Sequence, residues 1–159
     1  MVLSKLRTFF IRMPLRKKIW FLFMWPLTGL FRMAILALPF RFYRFVLGRK
    51  IANTELCALV TDSQLKRAWQ IGSAVELSAR FTPWESKCLV QALVAVCWCR
   101  LYRIPHITYL GVRKDEHGAM KAHAWVTVGK AIITGREGHC AYTIVSTLAP
   151  RHLVAPLSN

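Results

Sequence analysis

Acidic residues are scarce in this sequence, because 7 Asp and Glu stand against 23 Lys and Arg and the formal net charge is +16. The first 54 residues contain eleven of these bases and no acid. The remaining bases share the second part of the chain with all the acids. The composition therefore divides the sequence into a basic, apolar first part and a more ordinary globular second part.

The sequence also lacks the cysteine patterns of disulfide frameworks and zinc sites. Its 5 cysteines are an odd number without repeated spacing, and no two form a CxxC pair. Cys97 and Cys99 lie two residues apart on a predicted helix and so do not share a face. We predict no metal and no cofactor, and we expect a reducing, cytoplasmic location.

Residues 1–52 are predicted to form a basic, apolar helical segment. Residues 19–38 carry one charge, Arg32, and are long enough to cross a bilayer. Pro26 and Gly29 interrupt this stretch, and bases flank it on both sides, so the positive-inside rule gives no orientation. No small-x-small cleavage site follows convincingly, which disfavours a secretory signal. We interpret the segment as retained, and a spanning helix is not favoured.

Two interpretations of this segment stay open. In the first, helices over about 15–25 and 27–47, broken at Pro39 and stopped at Gly48, pack on the rest of the chain. In the second, interleaved aromatic and basic residues lie on an anionic membrane, which makes the protein peripheral to its inner face. Nucleic-acid binding is a third use of such charge. No recognised motif supports it, and we predict no nucleic-acid partner.

Residues 53–150 are predicted to form an α+β catalytic domain, followed by a tail at 151–159. Thr61 or Asp62 can cap a helix that ends at about residue 79. Thr82 can cap, and Pro83 can begin, an apolar and buried helix over 84–102. Turn residues then separate three or four short strands, over 107–113, 121–128, 130–134 and 141–148. A buried helix followed by an antiparallel sheet is typical of an α+β fold.

Cys88 and His123 have the surroundings of a catalytic pair. Cys88 falls near the start of the buried helix, where unpaired N–H groups and the helix dipole favour a thiolate. His123 falls on a predicted strand, from which it can hold the thiolate and protonate a leaving amine. N–H groups near Cys88 can supply an oxyanion hole. The remaining cysteines are predicted to pack in the core and the remaining histidines to be solvated.

No Asp or Asn follows His123 on the next strand, where a triad would place the group that fixes the imidazole tautomer. Residues 131–135 read AIITG. Thr134, Glu137 in the next turn, and a main-chain carbonyl are three alternatives, of which Glu137 is the named candidate. Trp125, two residues along the same strand face as His123, is predicted to be core or pocket wall.

Several short motifs follow one another along the chain, and an apolar segment with several arginines, over 30–48, precedes them. They are CLxQAL from Cys88, LxxIP from Leu101, YLGV from Tyr109, AHAWV from Ala122, TG at Thr134 and YTIV from Tyr142. In this order, over about residues 15–148, they resemble the transglutaminase-like leader peptidases of lasso peptide biosynthesis, in their standalone B-type form.

This resemblance implies a papain-like or transglutaminase-like fold and an ATP-independent cysteine peptidase. Its substrate would be the leader of a ribosomally made lasso precursor. Cys88 matches the family nucleophile and His123 the family histidine. The implied partners are the precursor peptide, a small leader-recognition protein and an asparagine-synthetase-like cyclase. The residues before Leu15 are too few for a fused recognition domain, so we expect a separate recognition protein.

Two other classes of function stay open beside the peptidase. The first is a transglutaminase-fold amide transferase, or another cysteine hydrolase, that uses the same Cys88 and His123. The second is a non-enzymatic, membrane-associated scaffold, in which the basic first part does the work and the Cys88 and His123 pair is incidental.

Overall fold

The computed structural model describes residues 15–51 and 57–150, apart from the side chains of residues 16 and 17. Within these described residues, four helices precede residue 102, and one strand lies between them. In chain order the elements are α1 (Leu15–Ala37), α2 (Phe40–Leu47), β1 (Arg49–Ile51), α3 (Asp62–Arg80), α4 (Cys88–Leu101), β2 (Ile107–Lys114), β3 (Met120–Val128), β4 (Ala131–Thr134), a 3-10 turn (His139–Ala141) and β5 (Thr143–Ala149). The predicted α+β class is confirmed.

The five strands form one antiparallel sheet in the order β1-β5-β2-β3-β4. Because side chains alternate across a strand, β3 contributes to both faces of the sheet. Ala124, Val126 and Val128 enter the main core together with residues of α3 and α4. Trp125 belongs to a smaller cluster with Ile107 and Tyr109. The helices therefore cover one face of the sheet, and this smaller aromatic cluster lies on the other.

Helix α4 lies at the centre of the main core, as its apolar sequence predicts. Val90, Leu93, Val94 and Val96 are almost completely buried, and each such side chain contributes roughly 1.5–3 kcal/mol by leaving water. Helix α3 packs between α4 and β4. Its start agrees with the prediction, because the Thr61 side chain accepts a hydrogen bond from Gln64 N and the Gln64 side-chain oxygen accepts one from Thr61 N.

Helix α1 packs on α3 and α4 along one stripe of its surface. Met24, Thr28 and Phe31 are buried in this contact. Trp20 stacks on Trp98 of α4 with ring centroids 5.4 Å apart. The structure therefore agrees with the first interpretation, in which this segment packs on the rest of the chain. The proposed boundary between residues 52 and 53 lies outside the described residues, as does the tail at 151–159, and that division stays a prediction.

Pro26 does not end the first helix, so the predicted break between 25 and 27 is wrong. The break at Pro39 and the stop at Gly48 are confirmed, since Gly48 has φ +127° and ends α2. An interior proline costs a helix about 3 kcal/mol through a lost hydrogen bond and a steric clash. Burial on both sides of Pro26, at Met24 and Thr28, offsets this cost.

Two further elements differ from the sequence prediction. Helix α4 begins at Cys88, four residues later than predicted, because Thr82 does not cap it. The Thr82 hydroxyl instead donates to main-chain oxygens nearby and shares a hydrogen bond with the Ser86 hydroxyl, at 2.9 Å. Strand β1 was not predicted, because its three residues form a strand only through pairing with β5, about a hundred residues later in the chain.

Replacing Pro26 with alanine should stabilise the protein. The substitution restores an N–H donor within α1 at an exposed position, and we expect a gain of about 1–3 kcal/mol in the free energy of unfolding. Urea denaturation followed by tryptophan fluorescence measures it, since Trp20 and Trp25 lie on α1. Pro39→Ala is the matched control, because Pro39 precedes α2 and breaks no helical hydrogen bond. An equal or lower stability for Pro26→Ala would contradict this account.

Candidate active site

The segment that leads into Cys88, residues 81–87, is held by helix α1. The Trp25 indole donates to the Phe81 carbonyl at 3.1 Å, and the Trp84 indole donates to the Thr28 hydroxyl at 3.2 Å. The two indole rings also pack together, with centroids 4.8 Å apart. We call residues 81–87 the entry loop. Its contacts with α1 fix the point at which the chain can turn into α4.

Glu85 adds an ionic contact between the entry loop and α1. Its carboxylate lies 3.0 Å from Lys87 and 3.3 Å from Arg32 on α1. The hydrogen bond from Lys87, with a smaller contribution from Arg32, lowers the pKa of Glu85 below its usual value. The carboxylate is exposed, so solvent screens the pair and its contribution to stability is small. These ion pairs therefore add little to the contacts made by the two indole groups.

Cys88 is the first residue of α4 and is half buried. The preceding residue, Lys87, makes no side-chain capping bond, and the first turn contains no acid. The N–H groups of Cys88, Leu89 and Val90 therefore have no intrahelical acceptor and point towards the helix start. Such a site stabilises negative charge, both on a thiolate and on an oxyanion next to it. The Gln91 side chain closes the turn by donating to the Ser86 carbonyl at 2.9 Å.

Two of the other cysteines are poor nucleophiles for a physical reason. Burial raises the pKa of the Cys99 thiol to about 12, with a smaller contribution from Cys97. Burial also raises the pKa of Cys97, although Arg100 opposes the shift. Both thiols are therefore neutral near neutral pH, in agreement with the packing role predicted for them. Cys57 and Cys140 are exposed, so the packing role predicted for these two is wrong. The prediction that the remaining histidines are solvated is wrong for His106, which is fully buried.

His123 is half buried on β3, and its ring is held by a main-chain carbonyl. His123 Nε2 lies 2.8 Å from the Gly135 oxygen. A carbonyl oxygen only accepts hydrogen bonds, so Nε2 carries the hydrogen and Nδ1 keeps its lone pair in the neutral ring. This is the tautomer in which Nδ1 can take a proton from a thiol. The Gly135 carbonyl thus has the orienting role that a triad gives to an acid or amide side chain.

Gly135 can present this carbonyl because it is glycine. Its φ is +71°, a conformation that other residues rarely adopt, and an added Cβ would collide with the Ala124 carbonyl. Glu137 lies exposed in the following turn. Among the described residues, no hydrogen bond joins Glu137 to His123. A catalytic role for Glu137 stays a prediction, and sequence analysis named the carbonyl only as an unassigned alternative.

Aromatic rings surround the imidazole of His123. The ring centroids of Tyr142 and Trp125 lie 5.0 Å and 5.8 Å from it. Trp125 is 4% exposed, so it is the wall residue that its spacing predicts. Gly111 pairs with His123 across the strands, and a Cβ there would lie 2.9 Å from both Trp125 and Tyr142. Neither Tyr142 nor Gly111 was predicted as a site residue from the sequence, although both lie in the short motifs given above.

Cys88 and His123 lie on elements that pack together, since α4 contacts β3. The alternation of β3 nevertheless points Ala124 towards α4, whereas the ring of His123 lies with Trp125 and Tyr142. In the part of the chain that the structure describes, no hydrogen bond joins the Cys88 thiol to His123. The structure therefore orients each group separately, without forming a thiol–imidazole pair between them.

A different thiol and imidazole do meet, on the 3-10 turn. Cys140 Sγ lies 3.3 Å from Nε2 of the adjacent His139, whose Nδ1 lies 2.7 Å from the Arg136 oxygen. The same reasoning assigns the hydrogen of His139 to Nδ1. The pair is a local contact between neighbours at the surface. Within residues 15–51 and 57–150, no group of three or more His, Cys, Asp or Glu residues is arranged to hold a metal.

A cysteine at the start of a buried helix, followed by an antiparallel sheet that carries a histidine, is an arrangement that thiol acyl-transfer enzymes use. The sequence model of the transglutaminase-like superfamily matches residues 34–147, which include Cys88, His123 and Gly135. The chain belongs to this superfamily. Its members are generally cysteine hydrolases or acyltransferases. No curated protein and no solved structure matches the chain significantly.

The two histidines should carry opposite tautomers when neutral. We expect His123 to be the Nε2–H form and His139 the Nδ1–H form, because each donates to a carbonyl from that nitrogen. Long-range ¹H–¹⁵N correlation spectra of ¹⁵N-histidine-labelled protein distinguish the forms, and His123→Gln and His139→Gln variants assign the signals. His139 is the internal control, and an Nδ1–H form at His123 would overturn the carbonyl account of His123.

Proposed function

We propose that this protein is a cysteine peptidase that removes the leader peptide from a ribosomally made lasso precursor. The observation that carries the proposal is the position of Cys88 as the first residue of α4, inside the segment that matches the superfamily. The Nε2–H tautomer of His123 supports it, because Nδ1 is left free to act as a base. The ordered motifs that resemble lasso leader peptidases supply the substrate class.

In the proposed mechanism, Cys88 Sγ attacks the carbonyl carbon at the leader junction as His123 Nδ1 takes the thiol proton. The C–N bond then breaks, the same nitrogen protonates the leaving amine, and the leader stays on Cys88 as a thioester. Water, deprotonated by His123, hydrolyses the thioester and restores the thiol. The N–H groups at the start of α4 stabilise the oxyanion in both steps.

This mechanism requires Nδ1 of His123 to lie within hydrogen-bonding distance of the Cys88 thiol while the peptide is bound. Without peptide the His123 ring lies with Trp125 and Tyr142, on the other side of β3 from Ala124. The proposal therefore includes a shift that brings the ring and the thiol together when the peptide binds, and the Gly135 carbonyl sets the tautomer before that shift. Glu137, as an exposed carboxylate, would at most add long-range charge stabilisation to the imidazolium.

The proposed partners follow from the same resemblance. A separate small recognition protein would capture the leader and present the junction to Cys88. An asparagine-synthetase-like cyclase would then close the freed core peptide into a ring. The proposal places these steps in the cytoplasm, where the thiol stays reduced.

The alternative within the superfamily is an amide transferase with the same Cys88 and His123. Both enzymes form a thioester, and they differ in whether water or an amine resolves it. The second alternative, a non-enzymatic scaffold, predicts no dependence on Cys88. A single assay that follows the products by mass separates all three functions.

We expect Cys88→Ala and His123→Ala each to lower cleavage at least about 10³-fold, because each removes a group that acts in the bond-breaking step. The assay is mass spectrometry of the cognate precursor after incubation with this protein and its leader-recognition partner. Cys57→Ala is the matched control, since Cys57 is exposed and lies outside α4. Circular dichroism of each variant verifies the fold.

Substantial cleavage by either variant would rule out the peptidase mechanism. In H₂¹⁸O with added primary amine, the peptidase forms a leader with ¹⁸O at its new carboxyl end, whereas a transferase forms a leader amide. Equal activity of Cys88→Ala and wild type in all precursor-dependent assays would favour the scaffold.

A further inference from the structure

Helix α1 has a continuous apolar stripe on the side that faces away from the protein. Leu22, Leu30 and Met33 are 69%, 64% and 64% exposed. Together with Phe23 and Leu36 they recur at helical spacing, opposite to the buried Met24, Thr28 and Phe31. We call these five exposed side chains the outer stripe. Large contiguous apolar surface of this kind marks a binding surface in a soluble domain.

Helix α2, which follows α1 in the chain, exposes aromatic and basic residues. Phe42 and Phe45 are exposed, and Arg41 and Arg44 lie over their rings at 5.0 Å and 5.8 Å. No Asp or Glu occurs before Glu55 in the sequence. The first part of the chain therefore presents apolar and positively charged groups without any negative charge between them.

A cationic groove lies beside α2. It has a volume of about 620 Å³, and four bases line it together with Phe40 and Phe45. The bases are Arg44, Arg49, Lys50 and Arg100, and no carboxylate is among the lining residues. Arg100 is fixed in place by donating to the Phe45 carbonyl at 3.2 Å. Guanidinium and ammonium groups that line a groove together with phenyl rings suit a phosphate attached to an acyl chain.

We propose that the outer stripe, α2 and the cationic groove together seat this protein on an anionic phospholipid bilayer. The outer stripe would enter the acyl boundary, and a lipid headgroup phosphate would occupy the groove. This inference is independent of the peptidase proposal. Charge complementarity selects the anionic bilayer, because the surface combines apolar side chains with bases and has no acid.

The proposed helix lies in the plane of the membrane and does not cross it. By length and composition alone, residues 18–37 could span a bilayer. Their inner side, however, is tied to the domain through Trp25, Thr28 and Arg32, which contact the entry loop. A spanning helix would have to break these contacts and leave the indole rings of Trp84 and Trp98 without their partners. An in-plane helix keeps them all.

The test is flotation of the full chain with vesicles of phosphatidylcholine alone or with phosphatidylglycerol added. We expect binding to anionic vesicles and at least about tenfold less to neutral ones. Leu22→Glu/Met33→Glu and Arg44→Gln/Arg49→Gln should each weaken anionic binding, the second pair by roughly fivefold for each base. Leu59→Glu/Met120→Glu and Lys66→Gln/Lys114→Gln are matched controls at exposed positions outside α1, α2 and the groove lining, and they should bind like wild type.

Several outcomes would overturn the proposal. Equal binding of the stripe variant and its control would show that the outer stripe does not touch lipid. Resistance of bound protein to extraction by 1 M salt and alkaline carbonate would indicate a spanning helix. Failure to bind anionic vesicles, with a dimer detected by light scattering that Leu22→Glu/Met33→Glu disrupts, would assign the stripe to a second copy. If the protein does not bind anionic vesicles but an acidic peptide binds in the groove, the groove is a peptide site.

Discussion

The contact between helix α1 and the entry loop is the constraint on which the candidate site depends. Local sequence favours a helix start at Thr82 and Pro83, yet the indole of Trp84 and the carbonyl of Phe81 bond to α1 instead. The helix then begins at Cys88. The half-buried thiol is thus placed at the positive end of a helix by contacts between residues 56 positions apart in the chain. The basic apolar segment is in this sense part of the site.

On the sheet, a main-chain carbonyl orients His123, where a catalytic triad would use a side chain. Gly135 turns its carbonyl towards Nε2, and Gly111 leaves room for Trp125 and Tyr142 beside the ring. A carbonyl is a neutral acceptor, so it fixes the tautomer but stabilises an imidazolium less than a carboxylate does. If His123 is the general base, the structure implies a weaker charge partner than that of an acid-containing triad. The Lys and Arg residues of the chain are positively charged, so they cannot stabilise an imidazolium in place of a carboxylate.

Features that depend on neighbouring residues were predictable from sequence, and features that depend on remote contacts were not. The Thr61 cap, the burial of α4 and the strands β2 to β5 follow from local patterns. The helix through Pro26, the late start of α4 and the pairing of β1 depend on contacts between distant segments. Sequence analysis could name Cys88 and His123 by residue type and motif. It could not assign the Gly135 carbonyl, because every residue has such a group.

The central claim is that Cys88 and His123 act on the same acyl group. Treatment with 1,3-dibromoacetone tests it most directly, because the reagent first alkylates a thiolate and can then bridge only to a nucleophile within a few bond lengths. Peptide mapping by mass spectrometry should find a cross-link between Cys88 and His123 that His123→Ala abolishes, with Cys57→Ala unaffected. Alkylation of Cys88 without any bridge to His123, or a bridge from Cys88 to another residue, would contradict the account.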